Sequence, residues 1–571
     1  MSQDAVLAPK TRQVYSGEPT SDSLTRSWRV AAWSLATVFG FLQVWASRFH
    51  MNDDGISYLD MALAYFRGDW KMAINAYWSP LYSWLVGLPL AIFRPSPQYE
   101  SSVVQMVNLA IYLVSLVCFE FFMRAFLRWQ KVVGFDDAGE PLPQWCWWML
   151  GYTLFFYSSL SLIGVNLVTP DLCVAALVYL AAGILLRIRG GEAHWLLFAV
   201  LGVVLGISYL TKAVMFPLAF VFLAASLWAA GSFRRGVLRA LLATIVFLLM
   251  GAPFIAAISK QKGRLTYGDT GRIAYAVFVT EGLEGQPKHP LRKLRDAPAV
   301  FEFAAPIGGT YPPWYDNSYW LDGFAPRFRL DGELRVLRQS AERYFEILAG
   351  HREFLVGFLA LFLFMPRKNS FVHRVIRESH YWLPAAAAFV LYALVHVEQR
   401  FLGAFLVLLW MALFSGLRLP QSPESRRWVR CITIAVVLTM GARLTKTAAA
   451  YDAVHILRPA PNLDGQVAKD LHRLGIAPGD QVAVIGHPTR SDYWAHLARL
   501  KIVAEVPAKD VPLFWAAGTD VQAQILEMFA QSGAKAVVTD ALPADPSSLP
   551  PDWEKLGNTG YFVRVVQGRG M

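Results

Sequence analysis

The sequence predicts a polytopic α-helical membrane protein with a small α/β domain at its C-terminal end, and three observations predict it. The 571 residues are 55% hydrophobic, with 20 Trp, 22 Tyr and 37 Phe, and only 17% are charged; a water-soluble chain of this size carries about a quarter. Apolar runs of ~20 residues, the length that crosses a bilayer, recur between residues 29 and 449. From residue 452 onward the composition turns soluble. The net charge of +11 sits in short basic clusters between the apolar runs. Cytoplasmic loops are basic in this way, so the charge does not imply a nucleic-acid partner. Cys118, Cys146, Cys173 and Cys431 fall in or beside apolar segments, with neither metal spacing nor a disulfide framework.

Taken in order, residues 1–28 are polar and read as a cytoplasmic tail, not a cleavable signal peptide. Spans are expected near 29–49, 101–127, 144–165, 171–188, 194–210, 213–231, 237–258, 352–366, 381–397, 400–417 and 429–449. Together they make a membrane domain of about 11 helices over residues 29–450. The segment from Ser79 to Phe93 is apolar but short, and Pro80, Gly87 and Pro89 interrupt it. It is either a twelfth span or a helix at the membrane surface.

Charge decides between these. If the segment does not cross, Arg124/Arg128/Lys131, Arg187/Arg189, Arg234/Arg235/Arg239, Arg367/Lys368/Arg374/Arg377 and Arg418/Arg426/Arg427/Arg430 all share the side of the tail. The non-crossing arrangement is therefore preferred. It places loops 50–100 and 259–350 and the soluble domain, residues 451–571, on the extracytoplasmic face of a bacterial-type inner (plasma) membrane.

The 259–350 loop is too long for a connector. Its string Gly308-Gly309-Thr310-Tyr311-Pro312-Pro313-Trp314-Tyr315-Asp316 can cover a site, or can simply pack on the helix ends. In the C-terminal domain Val467, Leu471 and Leu474 lie at helical spacing before Gly475. Strands are read near 481–485, 501–506, 535–539 and 561–566, and Asp520 can cap a helix running to about residue 531. Alternation of this kind suggests a parallel α/β layer. The domain has no Gly-rich phosphate fingerprint or nucleophile elbow, which leaves it support or acceptor docking.

The candidate chemistry gathers on the outer side. Asn52-Asp53-Asp54-Gly55-Ile56-Ser57-Tyr58-Leu59-Asp60 follows the first span. Adjacent carboxylates are costly beside a bilayer, and a ligand at the water boundary would account for them; a solvated loop is the plain alternative. Asp171, Thr211-Lys212 and Glu398-Gln399-Arg400 reach the same face.

These motifs resemble, in the same order, those of the GT-C glycosyltransferases. Those polytopic enzymes take a sugar from a polyprenyl-phosphate donor at the outer membrane face, with an acidic residue of the first outer loop as base. Asp54, Tyr58 and Asp60 match the Asp-x-x-x-Tyr-x-acid spacing of the bacterial aminoarabinose and protein mannosyl branch. Asn52-Asp53-Asp54-Gly55 is similar to the first loop of the mycobacterial arabinosyltransferases, which points to Asp53 instead. Trp78-Ser79-Pro80-Leu81-Tyr82 stands where the aminoarabinose branch has a Lys-Pro pair, and the lysine is absent here. Thr169-Pro170-Asp171 resembles its second outer aspartate, Leu210-Thr211-Lys212 its Thr-Lys-Gly with Ala213 for the glycine, and Gln399-Arg400-Phe401-Leu402 its polar entry to a late helix. The likeness covers residues 29–420.

The resemblance implies an inverting hexosyl- or pentosyltransferase. It would use a polyprenyl-phosphate sugar donor and an extracytoplasmic lipid, glycan or protein acceptor, among membrane lipid. Asp54 would be the general base. Asp53 would orient the loop or help hold a divalent cation, the one cofactor left open. Tyr58, Asp60, Trp78, Asp171, Lys212 and Arg400 would bind substrate, with Lys212 as a point charge and Arg400 as a fork for the departing phosphate. Plainer roles stay open for each. Lys212 can snorkel, Arg400 can pair only with Glu398, Asp171 can cap its helix, and Tyr58 and Trp78 can be interface aromatics. His396 reads as an interfacial histidine. Two rivals remain, a non-enzymatic transporter or lipid flippase and a membrane scaffold for the C-terminal domain.

Overall fold

A computed structural model describes residues 20–133, 139–231, 233–281, 292–303, 308–321, 325–458, 461–486, 492–545 and 549–566. The expected tail lies outside the described residues as far as residue 19. Each apolar run read as a span is helical. In order come α1 (Thr20–Ala46), α2 (Asp53–Arg67), the single turn α3 (Trp70–Ala73), α4 (Pro80–Phe93), α5 (Pro97–Val133) and α6 (Gln144–Phe156), which a π-helical segment at Tyr157–Ile163 prolongs. Then follow α7 (Asp171–Arg189), α8 (Trp195–Thr211), α9 (Met215–Ala229) and α10 (Phe233–Lys262). Beyond α10 lie α11 (Thr270–Ala274), α12 (Pro312–Tyr315), α13 (Leu330–Gly350), α14 (Arg352–Leu363), α15 (Phe371–Arg377), α16 (Ser379–Ala393), α17 (Gln399–Ser415) and α18 (Pro423–Thr447).

Among the described residues, five helices are long and apolar enough to cross a membrane: Pro97–Val132, Gln144–Ile163, Asp171–Arg189, Gly236–Lys262 and Pro423–Thr447. Four shorter apolar helices accompany them, Pro80–Phe93, Trp195–Thr211, Met215–Ala229 and Gln399–Ser415. The short, proline-interrupted α4 belongs to this second group.

The helical core is aromatic. Tyr112, Phe119, Phe122, Phe126, Trp147, Phe155 and Tyr179 are fully or almost fully buried where α5, α6 and α7 meet. Gly183 of α7 permits this approach, because a Cβ there would stand 2.6 Å from the Phe121 ring. Along α5, Glu100 and Glu120 are twenty residues apart, ~30 Å of helix, about the hydrocarbon thickness of a bilayer. Glu120 takes hydrogen bonds from Arg29 at 2.7 Å, Arg124 at 2.7 Å and Tyr152 at 2.5 Å. Glu100 faces the C-terminal domain. The two ends of the bundle thus carry separate polar assemblies.

The C-terminal region contributes α19 (Val454–Leu457), α20 (Leu463–Arg473) and five strands, β3 (Gln481–Gly486), β4 (Lys501–Pro507), β5 (Ala536–Thr539), β6 (Glu554–Lys555) and β7 (Phe562–Val565). A hairpin from the 259–350 loop completes the sheet: β1 (Lys293–Asp296) and β2 (Ala299–Glu302). The order is β1-β2-β4-β3-β5-β7-β6. Among the described residues only β3 pairs in parallel, with β4 and β5; the other pairings are antiparallel. The parallel layer expected from the sequence is therefore the centre of a mixed sheet. The loop is sewn to it beyond the strands, since Ile502 N–H donates to the Thr310 carbonyl at 2.9 Å and Phe303 N–H to that of Val503 at 2.9 Å.

Candidate functional site

The segment that follows α1 is shaped by two residues beside the aspartates. Asn52 is extended and precedes α2, but its side chain does not cap the helix. It turns to the chain before α7, where Oδ1 accepts from Val168 N–H at 2.8 Å. Gly55 allows the two segments to touch, because a Cβ there would lie 2.8 Å from Val168 Cβ and 2.6 Å from the Met51 sulfur. Asp53 and Asp54 then fall in the first turn of α2, where the unpaired backbone N–H groups favour negative charge.

From Asp54 a chain of alternating charges runs across four elements. Arg400, in the first turn of α17, donates from Nη2 to Asp54 Oδ2 at 2.8 Å. Its Nη1 lies 3.9 Å from Asp171 Oδ2. Lys212, just after α8, donates to Asp171 Oδ1 at 2.6 Å. Lys212 Nζ also sits 3.5 Å from the centre of the Phe401 ring. Asp171 is only 3% exposed, so a cation partner is needed to offset its burial. The N-cap role open to Asp171 is not what it does: it is the first residue of α7, and its carboxylate goes to Lys212. Nor does Arg400 pair only with Glu398, whose partner is His396 at 3.1 Å.

Asp54 and Arg400 border a cavity of about 310 Å³ whose lining also includes Asn52, Asp53, Trp314 and Glu398; Asp171 and Lys212 stand behind Arg400, outside that lining. Arg400 can donate five N–H bonds and Lys212 three, and among the described residues each makes one hydrogen bond. Donors are left for an anion.

The other predicted residues are placed differently. Tyr58 is buried, with the rings of Trp78 and Tyr82 edge-on at 5.1 Å each. Burial pushes its phenol well up, and the Asp54 and Asp171 charges add to the effect. Trp78 Nε1 donates to the Trp314 carbonyl at 3.2 Å. Neither aromatic lines the cavity; Trp78 holds Trp314, which does, and Tyr58 packs against Trp78. Asp60 binds that segment and the C-terminal domain: its oxygens accept from Thr310 N–H at 2.6 Å and Thr310 Oγ1 at 2.9 Å, and Oδ1 lies 2.7 Å from His496 Nδ1. Among the described residues, no group of three or more His, Cys, Asp or Glu side chains is placed to hold a metal ion.

Sequence reasoning missed His496, Glu100 and Arg499. His496 Nε2 lies 2.7 Å from Glu100 Oε1, and Arg499 Nη2 donates to Glu100 Oε2 at 2.5 Å. A carboxylate in the first turn of an apolar span was the available signal for Glu100. Nothing local marks His496 in its short helix Tyr493–Leu497; the partners come from 396 and 436 residues away.

Comparison with known proteins places this geometry in a fold. No protein-family model matches the chain, and no curated protein sequence matches it. Solved structures do. ArnT from Cupriavidus metallidurans bound to undecaprenyl phosphate superposes with a TM-score of 0.53 at 12% identity, over 95% of this chain and 99% of that one. The same protein in its apo state gives 0.50 at 15% identity, over 95% and 98%. The likeness extends beyond residues 29–420, the range expected from the motifs, because 95% coverage takes in the C-terminal domain. The chain has the GT-C fold.

Proposed function

We propose that this protein is a membrane glycosyltransferase. It moves a hexose or pentose from a polyprenyl-phosphate donor to a hydroxyl of an extracytoplasmic acceptor, with inversion at the anomeric carbon. The observation that carries this reading is the chain Asp54–Arg400–Asp171–Lys212, whose Asp54–Arg400 end borders a cavity. The GT-C fold supports it, and the ArnT relative binding undecaprenyl phosphate supports the class of donor.

Asp54 takes the proton of the acceptor hydroxyl as that oxygen attacks the anomeric carbon. The bond from that carbon to the phosphate oxygen breaks, and its electron pair leaves on the polyprenyl phosphate. Arg400 and Lys212 stabilise the charge gathering there. Asp171 holds both cations in place. Arg400 serves two anions in turn: an arriving phosphate competes with Asp54 for its fork, which frees the carboxylate to face the acceptor. Asp53 assists by orienting the turn. Tyr58, Trp78 and Asp60 act from behind, by setting the segment that covers the site.

General-base removal costs about 10²- to 10⁴-fold in rate. Asp54→Asn is therefore expected to lose transfer to that degree while retaining donor binding, with both measured in one detergent preparation. Full activity in Asp54→Asn would end the assignment.

A further inference from the structure

We propose that a second anion site, shaped for the headgroup of an acidic membrane lipid, lies at the far end of α2. A cavity of about 350 Å³ there is bordered by Arg67 of α2, Arg94 just after α4, Glu100 of α5 and Arg499 of the C-terminal domain, with Phe66 and Leu90 on its apolar wall. Three arginines and one carboxylate line it, and that carboxylate is committed: His496 and Arg499 occupy its two oxygens. The side chains of Arg67 and Arg94 are exposed, with no hydrogen-bond or ion-pair partner among the described residues.

The backbone gives a second, independent sign. Among the described residues only two non-glycine residues have positive φ, Arg94 at 43° and Arg499 at 60°, and both border this cavity. That conformation is unfavourable for any residue with a Cβ, and such strain collects at ligand sites. A glycine would make either turn without it; arginine makes the turn and delivers a guanidinium.

The surroundings select a lipid over a free anion. Phe66, Leu88, Ile92 and Phe93 are 45%, 53%, 66% and 72% exposed. Apolar surface beside unpaired guanidinium groups suits acyl chains and an anionic head, and a soluble phosphate needs no such surface. Thirteen residues of α2 separate Asp54 from Arg67, ~20 Å of helix, so one phosphate cannot serve both sites. The site is separate from the sugar donor's.

Native mass spectrometry of the full chain in detergent, with dioleoyl-phosphatidylglycerol or dioleoyl-phosphatidylcholine added, tests this without an activity readout. Phosphatidylglycerol adducts are expected to dominate. Arg67→Ala combined with Arg94→Gly should lower their occupancy roughly tenfold, with the thermal midpoint unchanged or raised because glycine relieves the turn. Arg272→Ala, at an exposed arginine of α11, should leave occupancy unchanged. Equal retention of the two lipids, undiminished phosphatidylglycerol in the double variant, or its displacement by inorganic phosphate alone would overturn the proposal.

Discussion

Asp53 and Asp54 are adjacent in one helical turn yet keep different company. Asp54 meets Arg400, whereas Asp53 acts on Asp492 of the C-terminal domain, whose carboxyl burial, Asp53 and Asp60 together push well above the carboxylate range. We expect Asp53→Asn to be milder in transfer than Asp54→Asn in the same assay; a dead Asp53→Asn beside an active Asp54→Asn would exchange the roles. Glu505 offers a pH prediction at this scale. Burial raises its carboxyl from 4.5 to about 7, against the hydrogen bond from Tyr311. A raised folded-state pKa stabilises fully below the unfolded value, and that contribution is lost as pH rises through the folded one. The sheet should therefore weaken between pH 4.5 and 7, by up to about 3 kcal/mol from this group. Glu505→Gln should flatten that slope in hydrogen exchange of β3 and β4; an unchanged slope would locate the titration elsewhere.

At the scale of elements, α2 is a bracket. Its first turn lies on the chain before α7, its middle is gripped by Thr310 and His496, and its end reaches the second cavity. Gly55→Ala should push the Asp53–Asp54 turn away from Val168 and reduce transfer at least as much as it reduces stability. Near-normal kcat would show that the turn tolerates the shift. His496→Ala leaves Glu100 and Asp60 short of a partner, a loss of ~3–5 kcal/mol for a buried pair, and should expose 308–311 and 493–507 to protease. The apolar helices were legible because apolar length and charged ends are local signals, and the four motif residues of the ion chain were legible because charge is costly beside an apolar span in a bilayer. Three strands were not. β1 is polar and mostly exposed, β6 has two residues, and β2 pairs with a strand some two hundred positions later. Nothing in a short window encodes such pairings, and the same distance hid His496.

At the scale of the molecule, the hairpin in the 259–350 loop and the C-terminal strands form one sheet, so they share one side of any membrane the helices cross. We propose, from the basic clusters, that the cytoplasm lies on the other side. In a background lacking Cys431, cysteines at Arg295 and Asp520 should react with an impermeant maleimide from outside, and one at Arg367 should not; labelling only at Arg367 would invert the topology. The split sheet also dictates the order in which the chain can be finished. During synthesis β1 and β2 emerge long before β4 and must wait while α13 to α18 are made. Through that interval the open edge of β2 is a template for any passing strand. The last portion of the chain to be translated therefore closes a seam opened early, and a product released before β4 would carry its aggregation hazard in the middle of the sequence, far from the break.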